Sequence, residues 1–142
     1  MLSQHFQEKM GLQLSADELL ITSGAQQAIY LLAEILLGPM DAVLIERPTY
    51  SVAMDIFRRK GARLLPVDIS ADGYDLNQVE ILMNKYKPRL FYVNPTYQNP
   101  TGFTVPSWQR KRLVELAERY NCMIIEDDPF RDIYFDNKPP LS

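Results

Sequence analysis

The chain has 142 residues, 46% apolar and 23% charged, enough to bury one domain's core without disulfides. Its 15 Lys+Arg against 18 Asp+Glu give a net charge of −3 with the basic residues scattered, which argues against direct nucleic-acid binding. No run approaches the ~20 apolar residues of a membrane span. Met1 to Met10 carries no secretory signal, and one cysteine builds neither a disulfide nor a cysteine-rich metal site, so a cytoplasmic, reducing compartment is expected.

In chain order, Met1–Met10 begins abruptly inside a helical pattern that holds the sole histidine, His5. Five short apolar runs follow as predicted strands: Leu19–Thr22, Ala42–Glu46, Arg63–Val67, Leu90–Asn94 and Cys122–Glu126. Continuous apolarity of this kind suits strands covered on both faces. Between them lie predicted helices. Ala25–Leu37 is apolar nearly all round and is expected to be buried. Ser51–Lys60 sets Ala53, Ile56 and Phe57 at helical spacing, and Leu76–Tyr86 does the same with Val79, Leu82 and Met83 behind an Asp75/Gln78 entry box. Ser107–Tyr120 presents Leu113, Leu116, Ala117 and Tyr120. Alternation of strands with helices of this length predicts an α/β fold with a mainly parallel sheet and flanking helices. Asp136–Ser142 trails off without a pattern, so the ends read as those of a piece of a longer protein.

Ligands of open α/β sheets bind beyond the carboxyl ends of the strands, and the unusual residues collect there. Ser23-Gly24-Ala25-Gln26 turns the first strand into a helix whose free amides can hold a phosphate; the same residues also read as a plain Ser23/Gln26 capping box. Tyr50, after Pro48, can lay its ring on a planar ligand or serve as a half-buried aromatic at a helix start. Two Asn-Pro steps, Asn94-Pro95 and Asn99-Pro100, follow the fourth strand; proline rigidity and access to cis bonds favour a ligand-shaped loop over an elaborate surface loop. Asp127 ends an apolar strand, so its carboxylate wants a cationic partner: a protonated heterocyclic nitrogen, an arginine or a helix N-terminus. A magnesium site of the nucleotide-hydrolase kind would need a glycine followed by lysine, which the sequence lacks, so no metal is expected. His5 lies far from any strand end, which excludes Ser-His-Asp and Cys-His devices, and Cys122 reads as a small core residue.

Ser-Gly-Ala-Gln-Gln, Pro-Thr-Tyr, Asn-Pro-Thr-Tyr-Gln-Asn-Pro-Thr-Gly and Glu-Asp-Asp-Pro-Phe, in this order and strand context, resemble the fold-type I pyridoxal-phosphate-dependent aminotransferases of class I/II. The flavour is similar to 2-aminoadipate-type transaminases and to the aminotransferase-like domains of MocR-type regulators of the GntR family. The resemblance implies that residues 1–142 are a partial large, cofactor-binding domain with no second domain. It implies that Gly24, Ala25 and Gln26 hold the phosphate of pyridoxal 5'-phosphate, that Tyr50 stacks on the pyridine ring, that Asn99 bonds the phenolic oxygen, and that Asp127 pairs with the pyridine nitrogen. Where the family usually has a tyrosine three residues after that aspartate, this chain has Phe130.

The resemblance further implies an amino acid and a 2-oxo acid as substrates, a homodimer for the full-length protein, and a Schiff-base lysine. Lys9, Lys60, Lys85, Lys87, Lys111 and Lys138 fall on or at the ends of helices or in the tail, and none follows a strand in the required order. The family's lysine and its carboxylate-gripping arginine would come beyond Ser142, so no catalytic residue is assigned. The resemblance also separates Leu19–Thr22 from the other strands by two strands beyond Ser142, leaving Cys122–Glu126 with a bare edge. Three readings stand: a transaminase, a cofactor- or effector-sensing regulator domain, and a fragment inactive by itself.

Overall fold

The computed structural model describes residues 4, 6–8 and 11–133. Among the described residues, the α-helices α1 (Ala25–Leu36), α2 (Ser51–Arg59), α3 (Leu76–Tyr86) and α4 (Ser107–Tyr120) alternate with the strands β1 (Ala42–Arg47), β2 (Arg63–Ser70), β3 (Gly73–Tyr74), β4 (Leu90–Val93) and β5 (Met123–Glu126). The sheet order is β3-β2-β1-β4-β5. All pairings are parallel except β2 with β3. The chain thus builds outward from β1 in one direction and then returns to its other side with β4, so the strand order reverses between β1 and β4.

The period of two along each strand divides the core into two. Val43 and Ile45 of β1, with Leu90 and Tyr92 of β4, pack against Ile29 and Ala33 of α1 and Ala53 and Phe57 of α2. Leu44, Phe91 and Val93 point to the opposite face, where they meet Val79 and Met83 of α3 and Leu113, Leu116 and Ala117 of α4. A tight edge contact fastens each face: Phe57 to Tyr92 with ring centroids 5.8 Å apart, and Tyr74 to Phe91 at 5.9 Å. The inner strands β1 and β4 are covered on both faces and read as continuous apolar runs. By contrast, β2 alternates buried and exposed residues and Met123 of β5 is 52% exposed, so the expected cover on both faces is corrected for these two strands, which lie toward the sheet's edges.

Caps follow local chemistry. The Asp75 carboxylate accepts from the Asn77 and Gln78 amides, so the expected cap of α3 forms, with Asp75 as its working half. Gln109 is buried at the start of α4, where Nε2 donates to the Asp72 carbonyl at 2.9 Å and Oε1 accepts from the Tyr74 amide at 3.1 Å. It fastens the short β3 hairpin, which the apolar pattern did not predict because two residues are too few to show periodicity. Gly73 is required there twice over: its φ is +91°, and a Cβ would stand 2.1 Å from Gln109 Oε1.

Two expectations are corrected. Leu19–Thr22 forms no strand; Leu20 and Ile21 are each 79% exposed. A strand needs a neighbour to take its alternate amides and carbonyls, and no described strand lies beside this segment. The helix Ala25–Leu37, expected to be buried, ends at Leu36 and buries only Ile29 and Ala33; Tyr30 and Ile35 stand exposed because only one side of it meets the sheet and α2. Cys122 just precedes β5 as a buried core residue, its thiol pushed up to about 12 by burial and therefore inert at neutral pH. His5, Lys9 and Lys138 lie outside the described residues.

Candidate functional site

At the carboxyl ends of β1, β4 and β5, beside the point where strand order reverses, lies an open cavity of about 430 Å³. All six predicted site residues line it: Gly24, Ala25, Gln26, Tyr50, Asn99 and Asp127. They come from four segments spread over 104 residues of sequence and are brought to one place by the crossovers.

One wall is the start of α1. The residue preceding the helix is Gly24, with φ +89°, and no side chain caps the helix. The Ser23/Gln26 box therefore does not form. Instead Gln27 reaches back, its Oε1 accepting from the Ser23 amide at 2.5 Å. The amides of the first helical turn have no intrahelical acceptor, and Ala25 and Gln26 carry theirs at the cavity wall. A positive end of a helix with uncapped amides favours an anion.

Tyr50 immediately precedes α2 and is half-buried, so both earlier readings describe it: an aromatic at a helix start that also walls the cavity. Its hydroxyl accepts from Gln26 Nε2 at 2.9 Å, which ties the α1 wall to the aromatic one.

The opposite side is polar. Asp127 directly follows β5; its backbone amide donates to the Val93 carbonyl at 2.9 Å and its Oδ2 accepts from the Tyr92 hydroxyl at 2.6 Å. Burial first, then the bond to Asp127, raises the Tyr92 phenol far above its usual range, so Tyr92 remains a donor. Asn94 joins the neighbouring pieces. Its Nδ2 donates to the Asp127 carbonyl and its Oδ1 accepts from the Asn99 amide at 2.7 Å. The Asn99-Pro100 bond is cis, and so is Arg47-Pro48. The Asn99 side-chain amide bonds no protein group among the described residues and stands at the cavity. Phe130 closes the rim with Pro129 and offers no hydroxyl.

Behind this wall sits a residue outside the strand-end motifs. Glu46 ends the apolar part of β1, is 1% exposed, and accepts from the Tyr74 hydroxyl, the Asn94 amide and Gln98 Nε2. Its carboxyl is raised to about 7, by burial above all and against the pull of those donors, with the negative charge of Asp127 adding to the rise. Like Asp127, Glu46 is a carboxylate at the end of an apolar strand, a mark already visible in the sequence. Tyr97 and Gln98 do not line the cavity; Gln98 is buried beneath the loop, bonded to Glu46 and to the Pro48 carbonyl. Among the described residues no lysine lines the cavity. Lys60 pairs with Glu34, Lys85 and Lys87 lie at the end of α3, and Lys111 is on α4.

Glu46 gives a stability prediction. The folded chain holds its proton up to about pH 7, whereas an unfolded chain releases it near 4.5. Between those values the folded state binds more protons, so the contribution of Glu46 to stability, on the order of 3 kcal/mol, is fully present below about 4.5 and is lost as pH rises through 7. Asp68 and Glu18, held below their usual range by hydrogen bonds, act in the opposite sense and only at more acidic pH. Urea midpoints at pH 5 and pH 8 are expected to differ in the native chain, and the gap is expected to shrink in Glu46→Gln.

Residues 1–141 match the model of the family described as aminotransferase class I and II. The chain is 39% identical over 119 residues to a 2-aminoadipate transaminase of Thermus thermophilus, covering 84% of this chain and 30% of that protein. It superimposes with a TM-score of 0.89 on the crystal structure of Pyrococcus horikoshii kynurenine aminotransferase in complex with PMP, at 31% identity, over 98% of this chain and 35% of that one. It is also 33% identical to an uncharacterized HTH-type transcriptional regulator, YdcR, of Escherichia coli, over 92% of this chain and 28% of that protein. The chain spans about a third of the length of the relatives it matches.

Proposed function

The chain belongs to the class I and II aminotransferase family, and from that premise we propose that it is part of a large domain that binds pyridoxal 5'-phosphate in the cavity beside β1 and β4. The protein to which such a domain belongs would move an amino group between an amino acid and a 2-oxo acid, as a homodimer. One observation carries the reading: a helix start with uncapped amides, an aromatic wall, a free side-chain amide and a strand-end carboxylate surround one cavity of about 430 Å³. Anion site, planar wall and cation-seeking acid are the three things a phosphorylated, protonated heterocycle requires, and the volume lies in the range of small-ligand pockets.

In this reading the amides of Gly24, Ala25 and Gln26 bind the phosphate. Tyr50, its ring braced by the bond from Gln26, limits the tilt of the pyridine ring. Asn99 offers its unpartnered side-chain amide to the phenolic oxygen, a task that Phe130 cannot share. Asp127 holds a proton on the pyridine nitrogen, and Tyr92 keeps that carboxylate oriented. The bound group then serves as an electron sink for negative charge developing on the substrate carbon. The Pyrococcus neighbour's complex with PMP supports the choice of cofactor. No lysine among the described residues lines the cavity, so we assign no catalytic residue and expect no turnover from the chain alone.

The test is an absorbance titration of the purified chain with pyridoxal phosphate, followed by borohydride and a mass measurement. A saturable complex that leaves the mass unchanged after reduction is the expected result. Absence of binding would overturn the reading for this chain. A stoichiometric adduct at one lysine would overturn the assignment of no catalytic residue.

The identity with an HTH-type regulator favours a second reading, in which the same cavity senses cofactor or effector without turnover. Incubation of a longer gene product with amino acids separates the two: an enzyme converts its bound cofactor to the amine form, and a sensor leaves the cofactor's spectrum unconverted.

A further inference from the structure

Glu46 closes the apolar part of β1, and three donors from three places converge on its carboxylate. Oε1 accepts from the Tyr74 hydroxyl on β3 and from the Asn94 amide after β4, the latter at 3.1 Å. Oε2 accepts from Gln98 Nε2, in the loop that follows, at 3.1 Å. Two of these donors cannot reverse. A backbone amide only donates. Gln98 is locked because Nε2 also donates to the Pro48 carbonyl at 2.8 Å, while its Oε1 accepts from the Thr101 amide and hydroxyl at 3.0 and 2.6 Å. Only the Tyr74 hydroxyl can turn. An ionised carboxylate therefore satisfies all three partners, and any group that donates from the Oε2 position confronts a fixed donor.

We propose that Glu46 is a positioning residue of the cavity: its carboxylate ties β3, the end of β4 and the β4–α4 loop into one unit and, through Asn94, sets where Asn99 and Asp127 stand. Asn94 is the transmitting part. Its backbone is held by Glu46, its Oδ1 holds the Asn99 amide, and its Nδ2 holds the Asp127 carbonyl. Glu46 does not line the cavity and so does not touch a ligand there. The titratable groups around it are Tyr74 on β3, Tyr92 on β4 and Asp127 after β5. The proposal deepens the cofactor reading and rests on it for the ligand, although the linkage between Glu46 and the loop is a property of the chain itself.

The experiment is a ¹⁵N NMR series from pH 5.5 to 8.5 on the native chain, Glu46→Gln and Tyr74→Phe, each also titrated with pyridoxal phosphate. In the native chain the Asn94 and Asn99 backbone amides and the Gln98 side-chain amide are expected to titrate together, with a midpoint near 7. Glu46→Gln keeps the volume but turns an amino group toward either Gln98 Nε2 or the Asn94 amide. The common transition is expected to disappear, and affinity at pH 8 to fall about tenfold. Tyr74→Phe removes a donor that favours the ionised form, so the common midpoint is expected to move up.

Native amides that do not titrate together overturn the proposal, as does a Glu46→Gln chain with native amide positions and affinity. If Glu46→Gln does not fold, the native titration and the direction of the Tyr74→Phe shift decide. Failure of the native chain to bind pyridoxal phosphate overturns the cofactor reading and leaves the amide titration to judge Glu46.

Discussion

Asp127→Asn is expected to lower the affinity of the chain for pyridoxal phosphate by about 10- to 100-fold, with the urea midpoint unchanged. Asparagine keeps an acceptor for the Tyr92 hydroxyl, which now donates to Asp127 Oδ2 at 2.6 Å, and removes only the charge. Hydrogen bonds to a charged group contribute about 1.5–3 kcal/mol, which corresponds to that range of affinity. Asp127→Ala is expected to do more: it also strands the hydroxyl of the buried Tyr92, at a further cost of about 1–3 kcal/mol in stability. Absorbance titrations beside urea unfolding curves separate the two effects. An asparagine variant that binds within twofold of the native chain would remove Asp127 from the site.

Phe57→Ala is expected to destabilise the chain by about 3–5 kcal/mol, a large part of the roughly 5–15 kcal/mol that holds a domain folded. Phe57 is fully buried between α2 and the sheet and meets the Tyr92 ring edge-on at 5.8 Å. Its loss opens a cavity beneath the tyrosine that orients Asp127, so ligand affinity is expected to fall along with stability. Chemical denaturation measures the first effect and titration at low temperature the second. A loss below 1 kcal/mol would mean that this face of the sheet is not packed as described.

The two variants bear on how much of the molecule was legible in advance. Phe57, Val79, Met83, Leu113 and Leu116 were readable because helical spacing alone puts them on one stripe, and all are buried. Asp127 was readable because a carboxylate at the end of an apolar strand is chemically out of place. Glu46 bears the same mark at the end of β1, but the sequence does not show that its donors converge from β3, β4 and the β4–α4 loop. Gln109 gave no signal at all: a polar residue in the first turn of a helix reads as solvent-exposed until the hairpin it holds is known. The Ser23/Gln26 box failed for a local reason, because Gly24 at φ +89° precedes the helix and turns Ser23 out of capping position.

Local sequence by itself determined the alternation of strand and helix, the burial of β1 and β4 on both faces and the cluster of unusual residues at the strands' carboxyl ends. These follow from side-chain spacing and proline and glycine stereochemistry, which act over a few residues. Tertiary structure decided what depends on partners distant in sequence. It brought Gly24, Tyr50, Asn99 and Asp127 around one cavity by placing β4 beside β1. It left Leu19–Thr22 unpaired, since an apolar run becomes a strand only when another backbone takes its hydrogen bonds. It also made Glu46 the centre of a buried network, because the three donors that converge on it lie 28 to 52 residues away along the chain.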